Sequence, residues 1–262
     1  MAPLSSTSPS REAGVVACLM PKHFFFDLDN TLTRSRSHID QAHAVILQQL
    51  SDVADVIVVT GGRRSQIAKQ LDPEMAGRYF VLAQNGNEAA TKDGTELWMR
   101  RPDAKQVAAI HTLVESMKAH LALSVKDEND LIEDRGCSVA YSTIGHNEDV
   151  SAKEQYDPDH AKRLALIEAF RPQVEALREE HGIEVRTGGT TCLDFFHAGK
   201  HKGYNVAEFI EHMKWEKDDC LYIGDALFPG GNDETVVGVI PTQSVDDYHE
   251  TYKRLEDVLK SA

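Results

Sequence analysis

Two aspartates, Asp27 and Asp29, follow directly on the apolar stretch His23–Phe26 and are succeeded by Asn30 and Thr31. An aspartate at a strand tip can act as a nucleophile on phosphorus, and a second one beside it can give and take protons at the bridging oxygen. Asp225 and Asp233 bracket the turn "GDALFPGGND", so four carboxylates from two strand ends can converge on one place. Such a cluster is repulsive unless a cation sits in it, and hard oxygen ligands of this kind suit Mg²⁺. The predicted metal set is therefore Asp27, Asp29, Asp225 and Asp233. Thr31 and Thr60 are expected to hydrogen-bond phosphoryl oxygens, and Lys202, after "FFHAGK", to supply positive charge to the intermediate. Each residue also has a plainer reading. Asp27 and Asp29 by themselves suit an Asx turn, Thr60 a strand end, and Lys202 a solvated trio with Lys200 and His201. Adding Asp225 and Asp233 favours the metal site.

These groups need strands that end together. Four apolar runs precede polar turns: "FFFDL", "DVIVVTGG", "YFVLAQNG" and "DCLYIGD". Continuous apolar runs suit strands buried on both faces, and "SQIAKQL" and "NVAEFIEHM" carry apolar residues at helical spacing between them, so the pattern predicts an α/β fold with a parallel sheet. In such sheets ligands bind beyond the carboxyl ends of the strands. The middle of the chain differs. A helix over 103–121, alternation in "LIEDRGCSVAYSTIG", a long charged helix over 158–181 and "IEVRTGG" predict an α+β insert. The expected organisation is a flexible tail over 1–20, a core over 21–94 and 190–262, and a cap over 95–189.

Composition narrows the partners. With 28 basic against 42 acidic residues in 262, the net charge is −14, which opposes attraction to nucleic acid or anionic membranes. An anionic substrate then needs a local concentration of cations. Cys18, Cys137, Cys192 and Cys220 form no CxxC pair or zinc spacing, which reads as reduced thiols in a cytoplasmic protein. The run "AGVVACLM" is too short to span a bilayer.

"DLDNTLT", "VVTGG", "GKHKG" and "GDALFPGGND", in that order, resemble the four motifs of the haloacid dehalogenase (HAD) superfamily. The resemblance is to its members with an inserted α+β cap, subclass IIB, and among them to the eukaryotic-type phosphomannomutases over about 22–233. It implies a HAD-like Rossmannoid core with a parallel sheet plus an inserted cap, with Asp27 as phosphorylated nucleophile and Asp29 as acid/base. It further implies Mg²⁺ held by Asp27, Asp225 and the carbonyl of Asp29, substrate contacts from Arg36, Arg135 and Asp194, and a homodimer through the cap. In the mutases an arginine stands where this chain has His146, a serine where it has Cys192, and a cationic residue near Glu128. These departures predict a weak second phosphate clamp with Arg135 as the main cap cation. The expected function is a Mg²⁺-dependent phosphatase of a sugar phosphate or similar small metabolite. The alternatives are a phosphomannomutase-like mutase and a non-catalytic sugar-phosphate binding module.

Overall fold

The computed structural model describes residues 20–121 and 125–261. The expected tail over 1–20, including Cys18, lies outside the described residues except for Met20. The chain opens with β1 (His23–Asp27), α1 (Gln41–Val53), β2 (Asp55–Val59), α2 (Arg64–Gln70), β3 (Tyr79–Ala83), β4 (Glu88–Ala90) and β5 (Glu96–Met99). There follow α3 (Ala104–Leu121), β6 (Ile132–Asp134), β7 (Val139–Ser142), α4 (Val150–Tyr156), α5 (Ala161–Ala169), α6 (Arg171–His181), β8 (Ile183–Gly188) and β9 (Cys192–His197). The last elements are α7 (Lys202–Met213), β10 (Cys220–Gly224), β11 (Thr242–Ser244) and α8 (Tyr248–Ser261).

A seven-stranded sheet runs in the order β11-β10-β1-β2-β3-β4-β5, parallel from β11 to β3 and antiparallel at β4 and β5. Its apolar strands serve two cores by alternation. Phe24, Phe26, Val56 and Val58 pack with Leu47 and Leu50 of α1 and Leu255 of α8, whereas Phe25, Ile57, Val59 and Leu82 pack with Val206, Phe209 and Ile210 of α7. A strand covered on both faces has no solvent side at which to place polar residues, which is why these runs are continuously apolar. Helix α1 starts where Asp40 accepts the His43 N–H at 3.0 Å, an N-cap.

The second sheet has the order β6-β7-β9-β8 and is antiparallel throughout. One face, with Val139, Tyr141, Leu193, Phe195, Ile183 and Val185, packs on Ile110, Leu113, Val114 and Met117 of α3 and on Leu166 and Leu177. The alternate residues of β9, Cys192 and Asp194, share the opposite face. This is the expected α+β insert, but both of its predicted boundaries move. Residues 96–99 pair with β4 in the large sheet, and residues 192–197 pair with β7 and β8 in the cap sheet. The cap elements therefore run from α3 to β9. Sequence alternation does not say which sheet a short strand joins; its hydrogen-bond partners do. The single helix expected over 158–181 is two helices that meet at Phe170. Pro172, near the start of α6, has no N–H to donate to a preceding turn and suits a helix start.

Helix α7 lies close to the turn over 234–236. A β-carbon added at Gly203 would stand 1.8 Å from the Thr235 carbonyl oxygen, a contact that backbone must move to relieve. Gly203→Ala is expected to lower unfolding free energy by about 1–3 kcal/mol in urea titrations and to disturb the adjacent Lys202. A parent-like midpoint would show that the two backbones separate freely.

Candidate active site

Parallel strands β10, β1 and β2 are neighbours, and all three end at one edge. Asp27 closes β1, Thr60 follows β2 and Asp225 follows β10, so the three side chains reach one cavity of about 150 Å³. After Asp27 the chain turns tightly. Asn30 has φ 63°, a left-handed conformation that asparagine tolerates, and its N–H donates to the Thr33 carbonyl at 2.7 Å. The turn sets Asp29 on the cavity wall, where its Oδ1 accepts from the Arg36 N–H at 2.9 Å and Gln70 Nε2 at 3.1 Å, and its Oδ2 from Gln66 Nε2 at 3.4 Å. Donors from a loop and from α2 thus orient this carboxylate.

Beneath the cavity floor, Lys202 at the start of α7 is buried and donates from Nζ to Asp27 Oδ1 and Asp233 Oδ1, each at 2.5 Å. Tyr222 Oη also donates to Asp233 Oδ1, at 2.7 Å. Burial pushes the Asp27 carboxyl well above the ordinary range, with Lys202 opposing and Asp233 and Asp225 adding to the rise. Burial, then Asp233, raises Asp225 to about 7 against the pull of Lys202. For Lys202 burial disfavours the ammonium, but Asp233 and Asp27 outweigh it and hold its pKa above the usual value. The three acids strain against one another electrostatically, and Lys202 neutralises only part of their charge.

This donor set fits a divalent cation. Asp27, Asp225 and Asp233 each offer a carboxylate oxygen, the three within 4.8 Å of one another. Asp233 Oδ2 is buried with no hydrogen-bond partner, which is costly for a carboxylate oxygen unless something cationic satisfies it. Oxygen-only donors favour Mg²⁺ over softer metals. The Asp29 side chain, predicted as a fourth member, is not in this group; its carboxylate oxygens are turned to Arg36, Gln66 and Gln70.

The other predicted residues divide. Thr60 lines the cavity while its Oγ1 accepts the Gly62 N–H at 3.0 Å. Thr31, expected at the phosphoryl oxygens, is fully buried and stands behind Asp225, donating to Asp225 Oδ1 at 3.3 Å and accepting its N–H at 3.1 Å. It does not line the cavity; it fixes the acid that does. Arg36, Arg135 and Asp194 all line it. Arg135 is spoken for: Nη1 donates to Asp194 Oδ1 at 3.1 Å and to the Gly61 carbonyl at 2.7 Å, and Nε to Glu133 at 2.9 Å. Burial opposes its charge, but Asp194 and Glu133 hold its pKa above the ordinary value. Asp194 Oδ2 also accepts from Asn85 Nδ2 at 3.2 Å, and a β-carbon at Gly61 would stand 2.7 Å from it. A bare backbone there is what lets cap and core approach so closely.

Glu128, expected near the cap clamp, is exposed on a short turn and does not line the cavity. His146 is buried behind the wall, its Nδ1 3.3 Å from Arg36 Nη2. Lys153 of α4 had no sequence signal beyond being one charge in "SAKEQY", yet it lines the cavity, 5% exposed, with Nζ donating to the His146 carbonyl at 3.0 Å. Among the described residues no carboxylate pairs with it. His160 and Phe228 were also missed; they meet edge-on at 5.3 Å on the cavity wall. Their positions come from a helix start in the cap and a loop in the core, which no sequence pattern joins.

The family model for haloacid dehalogenase-like hydrolases matches residues 24–233. The chain is 27% identical to phosphomannomutase 2 of Dictyostelium discoideum over 219 residues, 79% of this chain and 83% of that protein. It is 29% identical to phosphomannomutase 1 of Mus musculus, over 79% and 80% of the two chains. Among solved structures, the IMP-nucleotidase of Plasmodium falciparum superposes with TM-score 0.66 at 16% identity, covering 92% of this chain and 68% of that one. A phosphatase of the haloalkanoate enzyme superfamily from Bacteroides thetaiotaomicron superposes with TM-score 0.59 at 15% identity, over 95% and 99%.

Asp225→Ala removes one hard ligand. It is expected to raise the Mg²⁺ concentration for half-maximal turnover by about tenfold or more and to weaken Mg²⁺ binding in calorimetry. Coincident titrations of variant and parent would exclude Asp225 as a ligand.

Proposed function

The chain belongs to the haloacid dehalogenase-like hydrolase family and is a phosphoryl-transfer enzyme, and from that premise we propose that it is a Mg²⁺-dependent phosphatase of a small phosphorylated metabolite such as a sugar phosphate. The observation that carries the chemistry is the arrangement of the two strand-end acids. Asp27 is buried against Lys202, and Asp29 stands on the cavity wall, oriented by three donors. Simple binding needs no second acid, which is the argument against a non-catalytic sugar-phosphate module.

In this reading Asp27 attacks phosphorus in line and becomes an aspartyl phosphate while Asp29 delivers a proton to the leaving oxygen. Asp29 then takes a proton from the water that opens the aspartyl phosphate, and the carboxylate of Asp27 is restored. Lys202 opposes the burial that favours a protonated Asp27 and aims its Oδ1, and Thr60 stands at the cavity beside it. Mg²⁺ held by Asp27, Asp225 and Asp233 would supply positive charge for the phosphoryl oxygens. Water as the acceptor is supported by the state of Arg135, whose Nε and Nη1 donate to Glu133, Asp194 and the Gly61 carbonyl. An arginine held that way is poorly placed to grip a bisphosphate bidentately while it turns over.

The mutase reading has its own support. Lys153 brings to the cap wall a buried ammonium with one neutral acceptor, and the relatives named above are phosphomannomutases. The two readings separate by product. Purified protein with Mg²⁺ and a panel of sugar 1- and 6-phosphates, with and without a bisphosphate, is expected to release inorganic phosphate in excess of isomerised sugar phosphate. Many isomerisations per phosphate released would establish the mutase. Asp27→Asn is expected to abolish turnover with an unchanged circular dichroism spectrum, and Asp29→Asn to lower it by about 10²–10⁴. Substantial activity in Asp27→Asn would remove Asp27 as the nucleophile.

A further inference from the structure

The cap wall of the cavity carries a nucleophilic group that phosphoryl transfer does not use. Cys192 lies two residues before Asp194 on β9, on the same face, and both line the cavity. Cys192 is 8% exposed, and its Sγ stands 3.8 Å from His146 Nδ1, the nitrogen that also faces Arg36 Nη2 at 3.3 Å; His146 is itself 5% exposed. The other ring nitrogen of His146, Nε2, is buried with no hydrogen-bond partner. Arg135, Lys153 and Arg36 line the same cavity, with Asp194 and Glu133 as the neighbouring carboxylates.

A cationic setting on a cavity wall favours the thiolate, the reactive form of cysteine, even at a buried position. Burial alone would raise the Cys192 thiol, and Asp194 adds to that, but His146 and Arg135 outweigh both and bring it down to about 6. The other described thiols go the opposite way. Burial raises Cys137 to about 11 and Cys220 to about 12.

We propose that Cys192 is a peroxide-reactive thiol, and that its oxidation to the sulfenic acid obstructs the substrate cavity. The thiolate attacks one oxygen of hydrogen peroxide; the S–O bond forms as the O–O bond breaks, and the second oxygen departs as hydroxide. Sulfur is oxidised by two electrons and the peroxide reduced by two. A small-molecule thiol reverses the change. One equivalent displaces the sulfenic oxygen as water and forms a mixed disulfide, and a second releases Cys192. The added oxygen enters a cavity of about 150 Å³ at the wall shared with Asp194 and Arg135. The reactivity of the thiol stands on this wall alone; its effect on turnover rests on the phosphatase reading.

The test uses the full-length reduced protein treated with hydrogen peroxide, trapped with dimedone and mapped by peptide mass spectrometry, beside a phosphate-release assay. The adduct is expected at Cys192 in preference to Cys18, Cys137 and Cys220. Turnover, relative to each protein's own untreated sample, should fall about tenfold or more in the parent, recover with dithiothreitol, and be largely retained in Cys192→Ser. The iodoacetamide rate should rise with pH through a midpoint near 6 in the parent and through one shifted toward the ordinary thiol value of about 8.5 in His146→Gln. Adducts confined to other cysteines, an ordinary midpoint in the parent, or equal inactivation of Cys192→Ser would each overturn the proposal. If the protein releases no phosphate from any substrate, the phosphatase reading fails while the adduct map still decides the reactivity of the thiol.

Discussion

Lys202 carries its charge where water is excluded, 2.5 Å from each of two aspartates that are themselves buried. Stripping an ammonium and two carboxylates of solvent costs several kcal/mol per ion, and only close mutual pairing offsets it. That requirement fixes three distant parts of the chain relative to one another: the end of β1, the start of α7 and the loop after β10. The close approach of Gly203 to Thr235 serves the same end, because a side chain there would push α7 and its lysine away from Asp233. The pairing is also incomplete. One ammonium faces Asp27, Asp225 and Asp233, and the unpartnered Asp233 Oδ2 records the deficit.

Among the described residues the apolar clusters of core and cap are separate, and polar contacts bridge them over this centre. Arg135 reaches from the cap to the Gly61 carbonyl, Thr187 Oγ1 donates to the Gly230 carbonyl at 2.9 Å, and Arg34 pairs with Glu154 of α4 at 2.8 Å. Several of these contacts end on loops that also carry cavity residues. Gly61 follows Thr60, and Gly230 lies between Asp225 and Asp233. Polar interfaces of this kind open more readily than hydrophobic ones, and a closed cap excludes the water that would weaken the electrostatics beneath it. The net charge of −14 makes the local cations matter more, because an anion approaching the molecule must be attracted by Lys153 and Arg36 against the field of the whole.

Much of the architecture was legible in the sequence because its causes are local. The runs around Phe24–Phe26, Val56–Val59 and Phe80–Ala83 read as doubly buried strands since burial on two faces demands apolar residues at every position. The acids at the ends of two such runs read as a site since the carboxyl ends of a parallel sheet share one edge. Asp27, Asp29 and Asp225 needed only that rule to be collected.

The remainder depended on partners that periodicity does not encode. Residues 96–99 and 192–197 lie at the two expected borders of the cap, and only hydrogen bonding assigns the first to the core and the second to the cap. Thr31 looked like a phosphate ligand by its place in the motif; a fully packed position behind Asp225 makes it a support instead. Arg135 looked like a free cation, and the buried carboxylate of Asp194, 59 residues away, makes it a strut. Lys153 had no signal at all, and the pairing of Cys192 with His146 had none beyond the two residues' departure from the resembling mutases. The sequence by itself determined which residues could be strands and which acids could end them, because those properties follow from side-chain type and spacing. Tertiary structure alone decided which charges meet without water between them, because desolvation and Coulomb energy are set by distance in space and not along the chain.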